Sequence, residues 1–153
     1  MKQLFGNAVV GQSGGPTAAI NATLAGVIRG AQKSTCIQTL YGMRNGIEGL
    51  MKEDLINLST YFDSEEKLSL LEHTPAAALG SCRKKLPKMG ENDAFYESLM
   101  SIFKKYDIRY FFYIGGNDSM DTVAKLSQYT KAHDYQMVIL GVPKTIDNDL
   151  TAT

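Results

Sequence analysis

Apolar residues follow two rhythms along this chain: short unbroken runs, and longer stretches at three- and four-residue spacing. The run Ala8-Val9-Val10-Gly11 predicts a buried strand, which opens into Gln12-Ser13-Gly14-Gly15. Pro16 suits the first position of the helix that follows, where a missing N–H is harmless. Ile20, Leu24, Val27 and Ile28 give that helix one apolar face, and Gly30 is expected to end it. Cys36 to Tyr41 reads as a second strand, and Gly42, Gly46 and Gly49 as a turn-rich loop after it.

A short helix is predicted over 64–72, whereas 76–86 matches neither period. The stretch 92–106 predicts an amphipathic helix with Phe95, Leu99, Ile102 and Phe103 on one face. Tyr110 to Ile114 reads as a buried strand. Asp118 is expected to cap the next helix, which runs to about Thr130 and is lined by Val123, Ala124 and Leu126. Met137 to Val142 reads as the last buried strand. Strands alternating with helices predict an α/β fold, a doubly wound, mainly parallel sheet with helices on both faces, Rossmann-like in architecture.

With 153 residues, 44% of them hydrophobic, one domain with one sizeable core is expected. The formal net charge is +0, from 16 basic and 16 acidic residues, which argues against nucleic acid or a membrane surface as a partner. Cys36 and Cys82 are too few and too scattered for a disulfide framework or a zinc site, so reduced thiols in a cytoplasmic protein are expected. The first residues carry no secretory pattern, and no stretch approaches the roughly 20 apolar residues that span a bilayer.

The chemistry gathers where apolar runs end. Gly11-Gln12-Ser13-Gly14-Gly15-Pro16 matches neither a Walker A loop nor a full dinucleotide fingerprint. Its glycines serve either phosphate binding at a helix N-terminus or a tight turn needing positive φ. Gly115-Gly116-Asn117-Asp118-Ser119 repeats the device on another strand, and parallel strands bring such ends to one crevice. The richest segment is Val142-Pro143-Lys144-Thr145-Ile146-Asp147-Asn148-Asp149. Either it offers a metal or a hydroxyl proton an ionisable base, with a lysine that clamps phosphate oxygens, or it is a solvated Asx-turn after a strand. Gly80-Ser81-Cys82-Arg83-Lys84-Lys85 is either a solvated basic loop or a source of a forked arginine–phosphate contact. His73 and His133 have no partner pattern and read as ordinary polar residues.

Taken in order and spacing, Gly14-Gly15, Gly80-Ser81-Cys82-Arg83, Gly115 to Ser119 and Pro143 to Asp149 resemble the 6-phosphofructokinase family over essentially the whole chain. The Thr-Ile-Asp-Asn-Asp string is its most specific part. The resemblance implies one domain of a normally two-domain family and phosphoryl transfer to the 1-hydroxyl of fructose 6-phosphate, with magnesium. It implies Asp147 as the base, with Asp118 and Lys144 beside it in catalysis. Gly14, Gly15, Arg83 and Ser119 would bind the donor; Thr145, Ile146, Asp147 and Asp149 would bind the sugar phosphate. ATP-using members resemble Gly-Gly-Asp-Gly-Ser and Pro-Gly-Thr-Ile-Asp-Asn-Asp. Here Asp118 and Lys144 replace the two variable glycines, adding a carboxylate against a nucleotide's α-phosphate and a cation for a compact inorganic diphosphate.

The motif therefore resembles the pyrophosphate-dependent branch, with an ATP-dependent enzyme or a non-catalytic subunit of the same fold as alternatives. Asn117 stands where ATP-users carry a magnesium-binding Asp, so its metal contact is expected to be weaker or water-mediated, with Asp118 or Asp149 sharing the work. Family chains are much longer, so 1–153 is expected to be an N-terminal donor-binding fragment lacking the second, substrate domain. Alone it is expected to fold poorly or associate abnormally and to be inactive; the full-length protein is expected to be a homo-oligomer.

Overall fold

The structure, a computed structural model, describes residues 3–145. In chain order its elements are β1 (Gly6–Gln12), α1 (Ile20–Lys33), β2 (Ile37–Met43), α2 (Gly46–Met51), β3 (Leu55–Asn57) and α3 (Leu58–Tyr61). These are followed by α4 (Glu65–His73), α5 (Asp93–Lys105), β4 (Ile108–Gly115), α6 (Asn117–Ala132) and β5 (Val138–Pro143). The sheet runs β3-β2-β1-β4-β5. Its β1–β2, β1–β4 and β4–β5 pairings are parallel, and only the short β3 runs antiparallel, with Gly42 opposite Ile56. The expected α/β sheet with helices on both faces is thus present, with one antiparallel strand that a three-residue Leu-Ile-Asn segment is too short to signal.

Central strands bury both faces, which is why β1 and β4 are continuous apolar runs rather than alternating ones. Val9, Phe111 and Tyr113 face one core with Ile47 and Leu50 of α2, Leu99 and Phe103 of α5 and Leu126 of α6. Ala8, Val10 and Ile114 face the other core with Ile20, Leu24 and Ile28 of α1 and Leu68 and Leu71 of α4. Each fully buried leucine or isoleucine contributes about 1.5–3 kcal/mol relative to exposure. At the ends of α4 and α5, Ser64 and Asn92 accept backbone N–H groups of Lys67 and Phe95, as their side chains favour.

Five local expectations are corrected. Helix α1 begins at Ile20, so Pro16 lies outside it, and it continues past Gly30 to Lys33 because Ala31 still packs on the core. The predicted loop around Gly42, Gly46 and Gly49 is instead the end of β2 and the helix α2; burial of Ile47 and Leu50 outweighs the glycines' poor propensity. Asp118 does not cap α6, since Gly116 occupies that position without a side-chain bond. Ala124 is exposed, while Tyr129 lies in the core instead. Finally, β5 is not buried: it is the outer strand of the described sheet, and Leu140 is 48% exposed.

Strand order positions the site. From β1 the chain crosses through α1 to β2 on one side, and later strands β4 and β5 lie on the other. The order therefore reverses between β1 and β4. A crevice forms outside the carboxyl ends of strands at such a switch point, and the two glycine loops, 13–16 and 115–119, both leave from there.

Candidate functional site

A cavity of about 360 Å³ opens at that switch point, lined by four segments. Ser13, Gly14 and Gly15 come from the end of β1, Gly116 to Ser119 from the start of α6, and Lys144 and Thr145 from beyond β5. Cys82, Arg83 and Lys84 come from the irregular segment between α4 and α5. Sequence distance is spanned by backbone bonds. Ser13 N–H donates to the Ile114 carbonyl at 2.8 Å, and Lys144 N–H donates to the Gly115 carbonyl at 2.9 Å. These bonds hold the three strand ends at one height.

Gly14 has φ +79, a conformation that favours glycine, and its N–H donates to the Cys82 carbonyl at 3.2 Å. The Ser13 hydroxyl donates to the same carbonyl at 3.1 Å, and the Ser81 hydroxyl donates to the Gly14 carbonyl. The Arg83 guanidinium stands beside Gly15, 3.8 Å from where a Cβ on that glycine would sit. Because α1 begins only at Ile20, this loop presents its own peptide groups rather than a helix N-terminus. The second glycine loop does open a helix: α6 has 16 residues and is capped by Gly116, which has no side chain to cover the first N–H groups. Those groups and the helix dipole favour an anion there.

Three cations among the lining residues, Arg83, Lys84 and Lys144, face one carboxylate, Asp118. The Lys144 ammonium donates to the Gly15 carbonyl, spanning from the β5 end to the β1 loop. Asp118 pairs with Lys85 at 3.2 Å, tying the basic loop to the start of α6. Both partners are well exposed, so the pair contributes little stability and constrains position instead. Beneath the loop, Tyr113 is buried with its hydroxyl 3.6 Å from the Cys82 sulfur, and burial pushes its phenol above the usual range. It remains neutral and acts as a packing and hydrogen-bonding group.

The structure therefore brings Gly14, Gly15, Arg83, Asn117, Asp118, Ser119, Lys144 and Thr145 to one cavity. Ser119 is only 2% exposed, so its hydroxyl supports the loop more than it faces the cavity. Ile146, Asp147 and Asp149 lie outside the described residues. Among the described residues no trio of His, Cys, Asp and Glu converges as a metal site. Asn117 and Asp118 are the oxygen donors beside the cavity's cations, and magnesium is commonly held by one or two carboxylates together with substrate phosphates. That donor set fits such an ion.

Sequence reasoning missed Gln12 and Lys85. Gln12 is fully buried; its amide donates to Asn21 at 3.0 Å and to the Ile20 carbonyl at 3.2 Å, and its oxygen accepts Leu79 N–H at 2.8 Å. An amide ending an apolar strand was the available signal. Gln12→Leu leaves the buried Leu79 N–H without its acceptor and takes one of two donors from the Asn21 oxygen, which keeps the Ala78 N–H; it is expected to lower unfolding stability by about 2 kcal/mol, read as a lower denaturant midpoint.

The phosphofructokinase family model matches residues 7–153. A pyrophosphate–fructose 6-phosphate 1-phosphotransferase of Methylococcus capsulatus is 49% identical over 148 residues, covering 96% of this chain and 35% of the relative. One from Xanthomonas campestris pv. campestris is 48% identical, covering 97% and 34%. The crystal structure of a pyrophosphate-dependent phosphofructokinase from Nitrosospira multiformis superposes with a TM-score of 0.85 at 48% identity, covering 96% of this chain and 35% of that one. The chain thus spans about a third of the length of these relatives.

Proposed function

We propose a phosphoryl-donor role for this chain, which belongs to the phosphofructokinase family: it binds inorganic diphosphate and passes one phosphoryl group to the 1-hydroxyl of fructose 6-phosphate. The products are fructose 1,6-bisphosphate and phosphate, and the reaction runs in both directions. The observation that carries this reading is the meeting of Lys144 and Asp118 in one cavity with Arg83 and the glycine loops. Where ATP-using members have glycine, this chain has a cation and an anion. Residues 1–153 act as the donor-binding domain, and a second domain of the same fold class supplies most of the sugar-phosphate contacts. The reading includes a cytoplasmic location and a homo-oligomeric assembly; among the described residues no helix is long and apolar enough to cross a membrane.

In the proposed mechanism this chain positions the donor and balances charge, which is most of what phosphoryl transfer asks of a protein. Diphosphate oxygens replace the Gly15 carbonyl as acceptors of the Lys144 ammonium, and Arg83 contributes forked N–H groups from the opposite wall. The first amides of α6 receive the remaining oxygens. Asp118, held by Lys85, sets bulk and negative charge against a nucleoside extension. Asn117 and Asp118, together with the diphosphate itself, would hold a magnesium ion, which would supply charge neutralisation at the donor when bound. Asp147 accepts the sugar hydroxyl proton, with Thr145, Ile146 and Asp149 against the sugar phosphate; this assignment rests on the Thr-Ile-Asp-Asn-Asp string.

Calorimetric titration of a chimaera carrying residues 1–153 in place of the matching segment of the Methylococcus capsulatus relative, with magnesium diphosphate and, separately, magnesium ATP, tests the donor. Saturable heat with diphosphate and none with ATP is expected. Lys144→Ala is expected to weaken diphosphate at least about tenfold, the loss of one charge-assisted contact. ATP binding as tight as diphosphate would remove the donor claim.

A further inference from the structure

A second cavity, of about 610 Å³, lies away from the glycine loops, among α1, α3, α4 and the 78–80 segment. Its floor includes Leu24, Leu58 and Leu79, each at most 5% exposed. Two cations stand at its edge. Lys67 is already engaged by Asp63 at 2.8 Å. Arg44 is 59% exposed, and the Asp54 carboxylate lies 3.8 Å away, too far for a hydrogen bond. Its guanidinium therefore keeps donors for another acceptor. An apolar floor with one such group, in a volume between about 300 and 1,000 Å³, is the composition of a small-molecule site.

We propose that this cavity is a second ligand site, taking a small amphipathic anion with its apolar body on the leucine floor and its acidic head on Arg44. The same contacts couple it to the diphosphate loop; this half rests on the donor reading above. Leu79 is held from both sides, its carbonyl accepting Asn45 N–H at 2.7 Å and its N–H donating to Gln12 at 2.8 Å. Three residues on, the Cys82 carbonyl holds Gly14 N–H and the Ser13 hydroxyl. A ligand that moves Leu79 must carry Gly80 and Cys82 with it, because the segment between them is pinned at both ends. Gly14 follows, and with it the peptide groups that face the donor.

Octanoate is the probe, with octylammonium as its charge-reversed control, followed by methyl and amide NMR of the chimaera described above. Octanoate is expected to shift the Leu24, Leu58 and Leu79 methyls saturably, with Kd on the order of 1 mM for so small a ligand. The Gly80, Cys82 and Gly14 amides should shift along the same isotherm. Arg44→Gln should weaken octanoate at least about threefold while Arg44→Lys stays within about twofold of the native chain. Equal binding of octylammonium, indifference to Arg44→Gln, or shifts confined to Val27, Leu140 and Val142, which line a separate apolar groove between α1 and the β4–β5 side of the sheet, would overturn the site. So would concentration-dependent shifts of the same methyls without octanoate, which would mean a second copy covers the cavity. Saturating octanoate should change the diphosphate Kd by about fivefold or more, the usual floor for linked sites; an unchanged Kd overturns the coupling. Absence of any diphosphate binding defeats the donor reading alone, since the leucine methyls report on this cavity independently.

Discussion

In a chimaera carrying residues 1–153 in place of the matching segment of the Methylococcus capsulatus relative, Asp118→Gly with Lys144→Gly should lower kcat/KM for diphosphate by about 10²–10³-fold. Most of that loss belongs to Lys144. Its ammonium reaches the Gly15 carbonyl, so it already spans the space a donor phosphate takes, and glycine there leaves two phosphoryl groups facing a cavity short of one charge. Asp118→Gly alone should lower diphosphate use less than Lys144→Gly does and raise affinity for ATP, because its carboxylate acts against nucleotides and only shares the magnesium with Asn117 and the diphosphate. Steady-state rates with each donor at saturating fructose 6-phosphate separate the two effects. Undiminished diphosphate turnover in the double variant would show that these residues do not select the donor.

Gly115→Ala is expected to destabilise the fold by more than about 3 kcal/mol and to abolish diphosphate binding. An added Cβ would stand 2.0 Å from the Ser119 hydroxyl and 2.9 Å from the Ser13 carbonyl, both on loops that line the cavity. Neither neighbour can yield cheaply. Ser119 belongs to the first turn of α6, and Ser13 is tied through its N–H to Ile114 and through its hydroxyl to Cys82. The clash therefore spreads the two glycine loops apart. Ser119→Gly, which removes the nearest contact, should recover part of the stability in the double variant. Thermal unfolding of the three proteins decides it: a Gly115→Ala protein as stable as the parent would mean the loops are less tightly packed than these distances require.

Where local pattern sufficed, sequence and structure agree. Val9-Val10 and Phe111 to Ile114 are long enough apolar runs to demand burial on both sides, and Leu99, Ile102 and Phe103 recur at a spacing only a helix aligns. Asn92 and Ser64 were legible as helix starts because each is followed by an amphipathic stretch and bonds its own third neighbour. Failures came where a partner far along the chain decided the outcome. The glycines of 42–49 read as loop, yet α2 forms because the α5 side of the sheet takes up Ile47 and Leu50. Met137 to Val142 read as buried because its composition matches β4, but nothing within the residues themselves says which strand lies outermost.

The sequence alone determined the parallel strands, the longer helices and which segments bear the chemistry, though not α2, β3 or α3, since periodicity and residue type are local records of burial, charge and hydrogen-bonding capacity. It also carried the family resemblance through strings that a phosphate-handling rim needs. Only the tertiary structure decided that these segments share one cavity, that Lys85 is the partner of Asp118, and that Gln12 locks the 78–83 segment against the glycine loop. Strand order sets those contacts. It emerges from packing two cores against opposite faces of one sheet, a long-range balance that no window along the chain contains.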